Sequence, residues 1–523
     1  MKPNLIYLLP FLFLWVTPSI YGKASQAVAE KVLFQLYQKA GRADKPLPSL
    51  IISEENKKVA AYYPARHQIV LDEKAYLLCR SMGKDSLDAL AFILAHELAH
   101  AFQPATGRQS TNFLVYGIQN PTSNSQEKAA DIQGAFTAYL AGYRIESIIP
   151  IVLERIYKAY GLWGSIVPGY PSFEERRNSA REVLAMARRL IDVFEAGNYL
   201  AVLEYYELAI ACHTFLLDYY QGRDLYNNLG VLHLLQALNY YDEPTGRFAH
   251  PLELEGLSLL RALERQRGEA GLTEVEKEKR STLLQSGLAY FRQALERDGS
   301  YLPAIGNAAC ALNLLGQPEE AIAFLQRHQF RPGRPGNPEN LQMAYGIGCA
   351  LKEDRQRAEA GFRQLSRSDN ALYALQAQYN LDALNGQGFS FNPPAPFQLP
   401  ADIVRTGKSL KLADAGQQLP LLLQPETGIS LIQLTSGSRS HFSFWDATGS
   451  IVSLIRQNVS AGTLPPIEIQ EVSSPLSRQF FYNVIASPGG YYIRSDRDGL
   501  ILKANREGAV EEIVRWVRHR RKE

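Results

Sequence analysis

Two histidines four residues apart, with a glutamate directly after the first, stand in the segment His96-Glu97-Leu98-Ala99-His100. On a helix, residues i and i+4 share a face, so both imidazoles can reach one metal ion while Glu97 projects about 100° around the axis, beside it. Neutral imidazoles plus a carboxylate suit Zn2+ in a tetrahedral site whose fourth position is left to water. The ion brings the pKa of that water to about 7 and polarises a carbonyl. Glu97 is then placed to take the water's proton and pass it to a leaving amine. Around these residues the segment is Ala, Leu, Ile and Phe, where two histidines and a glutamate are costly to bury without partners. The whole chain has 9 histidines, so two on one helical face carry information.

A third ligand must come from elsewhere. No Asp, Glu, His or Cys lies between His100 and Glu127, which makes Glu127 and Asp131, in Gln126-Glu127-Lys128-Ala129-Ala130-Asp131, the next possible ligands. They are again four apart on a helical pattern, so one can bind the metal while the other accepts a hydrogen bond from a liganding histidine and fixes its tautomer. Glu127 leads as third ligand, with Asp131 and His67 as competitors. His67, flanked by Arg66 and Gln68, reads more simply as an exposed edge position of a strand.

The elements that must position these residues follow from periodicity. Gln26 to Arg42 has helical spacing. Pro48 to Ile52, Val59 to Tyr63 and His67 to Leu71 read as strands, and Glu73 to Arg80 as a helix. The metal motif sits in a helix from Leu87 to Phe102, with Ser86 or Asp88 as its cap. A polar loop, Thr106 to Ser125, leads to a helix running from near Ser125 towards Tyr143, and Ile148 to Tyr160 and Phe173 to Gly197 are helical. From about residue 200 to 386 the pattern is helical throughout, and small residues recur, joined by phenylalanine in the first and last sets: Gly287, Phe291 and Ala294, then Ala309, Gly316 and Ala321, then Gly346, Ala358 and Phe362. The recurrence is near the period of about 34 residues found in tetratricopeptide repeats, stretched by the insert Arg331 to Pro338. Such an array docks protein partners.

Gln387 to Pro400 is a Pro-rich linker. Beyond it Ile429 to Leu434, Ser443 to Leu454, Ile467 to Val472, Phe480 to Ile485 and Tyr491 to Arg494 read as strands, with a hairpin turn at Ser487-Pro488-Gly489-Gly490. A closing helix, Val510 to Arg521, carries Arg515, Arg518, Arg520 and Arg521, followed by Lys522. The expected architecture is multidomain α+β. Its parts are a segment 1–24, a domain 25–197, helical repeats 198–386, the linker 387–400, and a β-rich domain 401–523 with a terminal basic helix.

Composition excludes more than it identifies. Among 523 residues, 55 Lys and Arg oppose 53 Asp and Glu, a net +2 that argues against a nucleic-acid binder. Met1-Lys2 followed by an apolar run from Leu5 to Val16 and small residues through Ala24 has the form of a secretory signal peptide. The run is shorter than the roughly 20 residues that span a bilayer. No later segment is apolar enough to form a stable membrane span. The expectation is an exported protein, periplasmic or in the cell envelope, or secreted. Cys79, Cys212, Cys310 and Cys349 are scattered in apolar patterns and read as buried thiols.

With those residues in hand, HELAH followed by EKAAD resembles the gluzincin signature H-E-x-x-H…E-x-x-x-D. The likeness is to the clan that holds the bacterial membrane protease HtpX and the CAAX prenyl endopeptidases. It covers about residues 28 to 195 and implies a mainly helical, zincin-like peptidase domain. Carried over, Glu97 is the catalytic base, His96, His100 and Glu127 bind one Zn2+, and Asp131 orients a ligand. The family often has His-Pro and an Arg six residues after that His. Here Tyr170-Pro171 and Arg176 keep the Pro and the Arg, and Tyr170 replaces the His. A phenol there is able to hydrogen-bond a tetrahedral oxyanion. Members bind an extended peptide against an edge strand beside the active helix, a role that falls on His67 to Leu71 and implies polypeptide substrates. The short gap between the two motifs lacks the hydrophobic hairpin of the membrane members. Exported relatives join such a peptidase to tetratricopeptide repeats in outer-membrane protein quality control; the strand-rich C-terminal region has no counterpart there. The chain therefore reads as a zinc metalloendopeptidase acting on cell-envelope or misfolded proteins. The alternative is a chaperone-like scaffold with a latent or structural zinc site.

Overall fold

The computed structural model describes residues 18–54, 58–103, 121–163, 173–240, 247–254, 257–258, 272–334, 336–387, 399–411, 420–460, 462–467, 484–487, 490–505 and 507–519. Helices and an antiparallel sheet share the chain, as the mixed α and β patterning implies. Two compact units result, one running to Ala40 and from Lys45 to Arg188, the other made of Gly41–Asp44 and the chain from Arg189 onward.

The first unit opens with α1 (Pro18–Ala40) and a three-stranded sheet of β1 (Ser49–Ser53), β2 (Ala60–Tyr63) and β3 (Gln68–Asp72). Helices α2 (Glu73–Arg80), α3 (Ser86–Phe102), α4 (Pro121–Leu140), α5 (Ile145–Ala159) and the first part of α6 (Phe173–Val202) complete it. The sheet order is β1-β3-β2, with β1 parallel and β2 antiparallel to β3. The strand expected to offer a substrate edge is therefore the central one. The edge beside α3 belongs to β2, because the run Gln68–Asp72 is apolar enough to be sandwiched between two neighbours. At the other edge, Gln26 on α1 donates from Nε2 to Leu50 O (2.6 Å) and accepts from Ile52 N at Oε1 (3.1 Å), so its amide stands in for a neighbouring strand.

Helix α3 is the centre of this unit. Every residue from Asp88 to Phe102 is buried, as its all-round apolar sequence requires. Its N-cap is Asp85, one residue before Ser86, and Asp88 Oδ1 instead accepts from the Arg144 amide (3.0 Å).

In the second unit, α7 (Tyr206–Leu216), α8 (Arg223–Ala237), α9 (Glu274–Arg297), α10 (Leu302–Leu314), α11 (Pro318–Arg327), α12 (Glu339–Leu351), α13 (Arg355–Leu365) and α14 (Ala371–Leu384) pack in sequence. They are not helical throughout: a short hairpin, β4 (Glu253–Leu254) with β5 (Leu257–Ser258), intervenes. The recurring small residues have a steric reason. A Cβ at Gly230 of α8 would lie 2.4 Å from the Phe291 ring of α9, and one at Gly346 of α12 would lie 2.8 Å from the Phe362 ring of α13. Glycine facing phenylalanine is thus the packing rule of two helix pairs.

After α15 (Ala401–Lys408) the chain forms β6 (Leu421–Gln424), β7 (Ile429–Ser436), β8 (Arg439–Asp446), β9 (Gly449–Asn458), β10 (Val484–Ser487), β11 (Gly490–Ser495), β12 (Leu500–Asn505) and β13 (Val510–Arg518). They make one antiparallel sheet, in the order β10-β11-β12-β13-β9-β8-β7-β6. The stretch Ser443 to Leu454 is two strands, split where Asp446 Oδ1 accepts from Thr448 N (2.8 Å) and Gly449 takes φ +126°. Ser487 pairs with Gly490, which places the expected hairpin; Pro488 and Gly489 lie outside the described residues. The expected terminal basic helix is overturned. Val510–Arg518 is an inner strand between β12 and β9, and Arg515 Nη1 donates to Lys408 O (3.1 Å) and Leu410 O (2.5 Å) beside it. Its apolar residues Val510, Ile513, Val514 and Val517 have helical spacing, but an inner strand with polypeptide on both sides need not alternate.

All four cysteines are free and buried. Among the described residues no helix is long and apolar enough to cross a membrane. The expected signal segment lies mostly outside them, and α1 begins within it, at Pro18.

Candidate metal centre

Helices α3 and α4 bring His96, His100 and Glu127 to one point. His96 Nε2 and His100 Nε2 are 3.1 Å apart, and Glu127 Oε2 is 3.3 Å from each. Bonds of about 2.0–2.1 Å in tetrahedral geometry hold ligand atoms about 3.3 Å from one another, so the triangle has the size such a metal ion needs. The three side chains form a buried potential metal-binding group.

Partners behind the ring nitrogens set the direction of the lone pairs. His96 Nδ1 donates to Asp131 Oδ1 (2.7 Å). Gln103 Nε2 donates to Gln126 O (3.1 Å), which turns its Oε1 to accept from His100 Nδ1 (3.1 Å). With both Nδ1 atoms donating, both Nε2 atoms are free to face the carboxylate as acceptors. Three acceptors converging in a buried space call for a cation. In the metal-free protein a proton meets this demand. Burial lowers the affinity of His96 for a proton, but the Asp131 charge and hydrogen bond, with Glu127 and Glu97, outweigh it and push the pKa up to about 10. For Glu127, burial raises the pKa, and the hydrogen bonds and charges of His100 and His96 overcome it, bringing it down to about 2.

The approach of α4 to α3 depends on a residue that sequence reading passed over. A Cβ at Gly134 would stand 2.9 Å from the carbonyl carbon and oxygen of Ala95 and from His96 N. Glycine lets the backbones touch at the first ligand, two turns beyond Glu127.

Glu97, fully buried, lies beside the triangle, and its Oε2 accepts from the Tyr62 amide on β2 (2.8 Å). Because alternate residues of an antiparallel strand face opposite sides, Tyr62 turns its amide away from β3 and towards α3. The nearby Lys58 ammonium is disfavoured by burial and supported by the Glu97 charge, with a net lowering of its pKa. His67 is not a ligand. It follows the tight turn Pro64–Arg66 with φ 47° and ψ 55°, a left-handed conformation that costs an L-residue about 1–2 kcal/mol. Both its nitrogens are engaged away from the triangle: Nδ1 accepts from Tyr62 Oη (2.8 Å) and Nε2 donates to Pro46 O (2.9 Å).

Of the other expected site residues, Tyr170 lies outside the described residues. Arg176 falls on α6, with its side chain outside the described set. Gln103, Gly134 and Tyr62 were missed, since a glutamine at a helix end, a glycine inside a helix and a strand tyrosine have no chemical signature until their neighbours are known. No protein-family model and no curated protein matches the chain.

Proposed function

We propose that the chain is a zinc-dependent endopeptidase of the cell envelope, exported by its first 24 residues, with polypeptides as substrates. The observation that carries this reading is the convergence of His96 Nε2, His100 Nε2 and Glu127 Oε2 within 3.1 to 3.3 Å, beside the buried carboxylate of Glu97. In this reading those three residues hold one Zn2+ and Asp131 and Gln103 fix the imidazoles. A zinc ion there supplies Lewis-acid polarisation of a carbonyl and acidifies water. Glu97 does the proton work: one carboxylate oxygen takes the proton of the attacking water and returns it to the leaving amine, while Oε2 is steadied by the Tyr62 amide. The wall of Ala, Leu, Ile and Phe from α3 excludes bulk water and strengthens each of these interactions. Helices α7 to α14 serve as a tetratricopeptide-like array that docks substrate proteins or an assembly partner, and the C-terminal sheet forms a further module.

The test is Glu97→Gln in the full chain, assayed on denatured casein with metal content measured in parallel. Cleavage should fall by at least about 10²-fold, the loss expected of a general base, with zinc retained. Unchanged cleavage would overturn the assignment. The deep burial of Glu97 favours a second reading, a scaffold whose zinc is structural. That reading gains if wild type and variant bind zinc equally and neither cleaves.

A further inference from the structure

We infer that His67 is a positioning residue for Glu97, acting through Tyr62. The inference takes the role of Glu97 from the peptidase reading; the linkage itself stands on geometry. Three observations meet at this point. His67 sits in the left-handed region at the end of a tight turn, a conformation that glycine adopts without strain and that a histidine holds at some cost. Its imidazole is held from both sides, accepting from Tyr62 Oη at 2.8 Å and donating to Pro46 O at 2.9 Å, with the Tyr62 and His67 rings edge to face. Tyr62, fixed in this way at its side chain, directs its main-chain N–H to Glu97 Oε2 at 2.8 Å. One residue thus has its phenol tied to His67 and its amide tied to the carboxylate. The imidazole bolts the β2 edge to the loop before β1, and the rotation of the Tyr62 peptide, which aims the amide, follows from that.

Positioning losses near reacting groups run from about ten-fold to a hundred-fold in rate. The test uses the full chain loaded with zinc. Two readouts are taken: hydrogen exchange of the amide at position 62, and kcat and KM on an internally quenched peptide. Tyr62→Phe removes only the hydroxyl, and His67→Gly removes the imidazole while relieving the strain. Each should speed exchange at position 62 by about ten-fold or more and lower kcat by about ten-fold with KM nearly unchanged, and the double variant should be no worse than the poorer single one. His67→Asn tolerates the left-handed backbone and puts an acceptor oxygen near the place of Nδ1, so it should restore both readouts. Unchanged exchange and kcat in both single variants would overturn the inference. So would acceleration spread evenly over β2 and β3, the mark of a merely structural role. If the wild type cleaves nothing, the peptidase reading fails while the exchange data still decide the linkage.

Discussion

The two units bury polar side chains in opposite ways. Where α6 crosses the C-terminal sheet, charges are closed by charges. Arg456 Nη2 donates to Asp192 Oδ1 (2.6 Å) and Ser440 Oγ (3.2 Å), Lys503 Nζ lies 3.3 Å from Glu195 and 3.6 Å from Glu512, and Tyr492 Oη donates to Glu195 Oε2 (3.2 Å). Arg456 and Lys503 stand among Asp192, Glu195 and Glu512, so cationic donors and carboxylate acceptors face one another directly. Between α3 and α4, three acceptor atoms point at a common centre. The histidines make the same contrast. His213, buried, and His233, half-buried, have no carboxylate beside them and are pushed down to about 4 by desolvation, whereas at His96 the carboxylates outweigh burial and lift the pKa to about 10. Acceptors that converge on one centre ask for a ligand; donors and acceptors that face one another hold elements together.

The comparison can be broken most directly at the triangle. On the proposal that the triangle holds one ion per chain, Glu127→Ala should lower bound metal to none and abolish metal-dependent stabilisation, about 4 kcal/mol at a thousand times Kd, as read by metal analysis and thermal unfolding with and without chelator. Full metal retention would exclude Glu127 as a ligand. At the sheet, Arg456→Met should cost about 3–5 kcal/mol in urea unfolding by leaving the buried Asp192 carboxylate without its arginine, without changing metal content. Adding Asp192→Leu should recover most of that loss, something no apolar double replacement would do for metal binding.

A smaller effect is expected at the helix crossing. Gly134→Ala forces a methyl against the Ala95 backbone and should cost about 1–3 kcal/mol while weakening metal affinity, measured by chelator competition. Unaltered affinity would show that the crossing tolerates more separation than the ligands imply. The mildest probe is pH in the metal-free protein. The raised pKa of His96 contributes stability that is full below about 6.5 and lost as pH rises through about 10. The lowered values of His213 and His233 act oppositely, so their contribution is lost as pH falls from about 6.5 towards 4. Hydrogen exchange resolved by region should therefore show α3 loosening in base and α7 and α8 loosening in acid.

The candidate ligands were legible in the sequence and long-range packing was not. His96, Glu97 and His100 stand out because the i, i+4 spacing lies in one apolar helix, and Glu127 with Asp131 because no other candidate ligand intervenes. The register of α4 against α3, set by Gly134, depends on atoms about 40 residues apart in the chain, which no window along the sequence contains. The same limit misread Val510–Arg518. Its apolar spacing fits a helix, and only its insertion between β12 and β9 makes it a strand. The strand expected over His67 to Leu71 lies one residue later, at Gln68–Asp72, and its central place required knowing where β1 and β2 would pair.

The amide of Gln26 at the outer edge of β1 also bears on solubility. Ser49-Leu50-Ile51-Ile52-Ser53 is short, uncharged, free of proline and rich in β-branched residues, the composition that stacks into intermolecular sheets, and its Ile51 is exposed. By occupying Leu50 O and Ile52 N, one side chain withholds the two main-chain groups with which another molecule would begin to pair, and so guards the protein against self-templated aggregation at this edge.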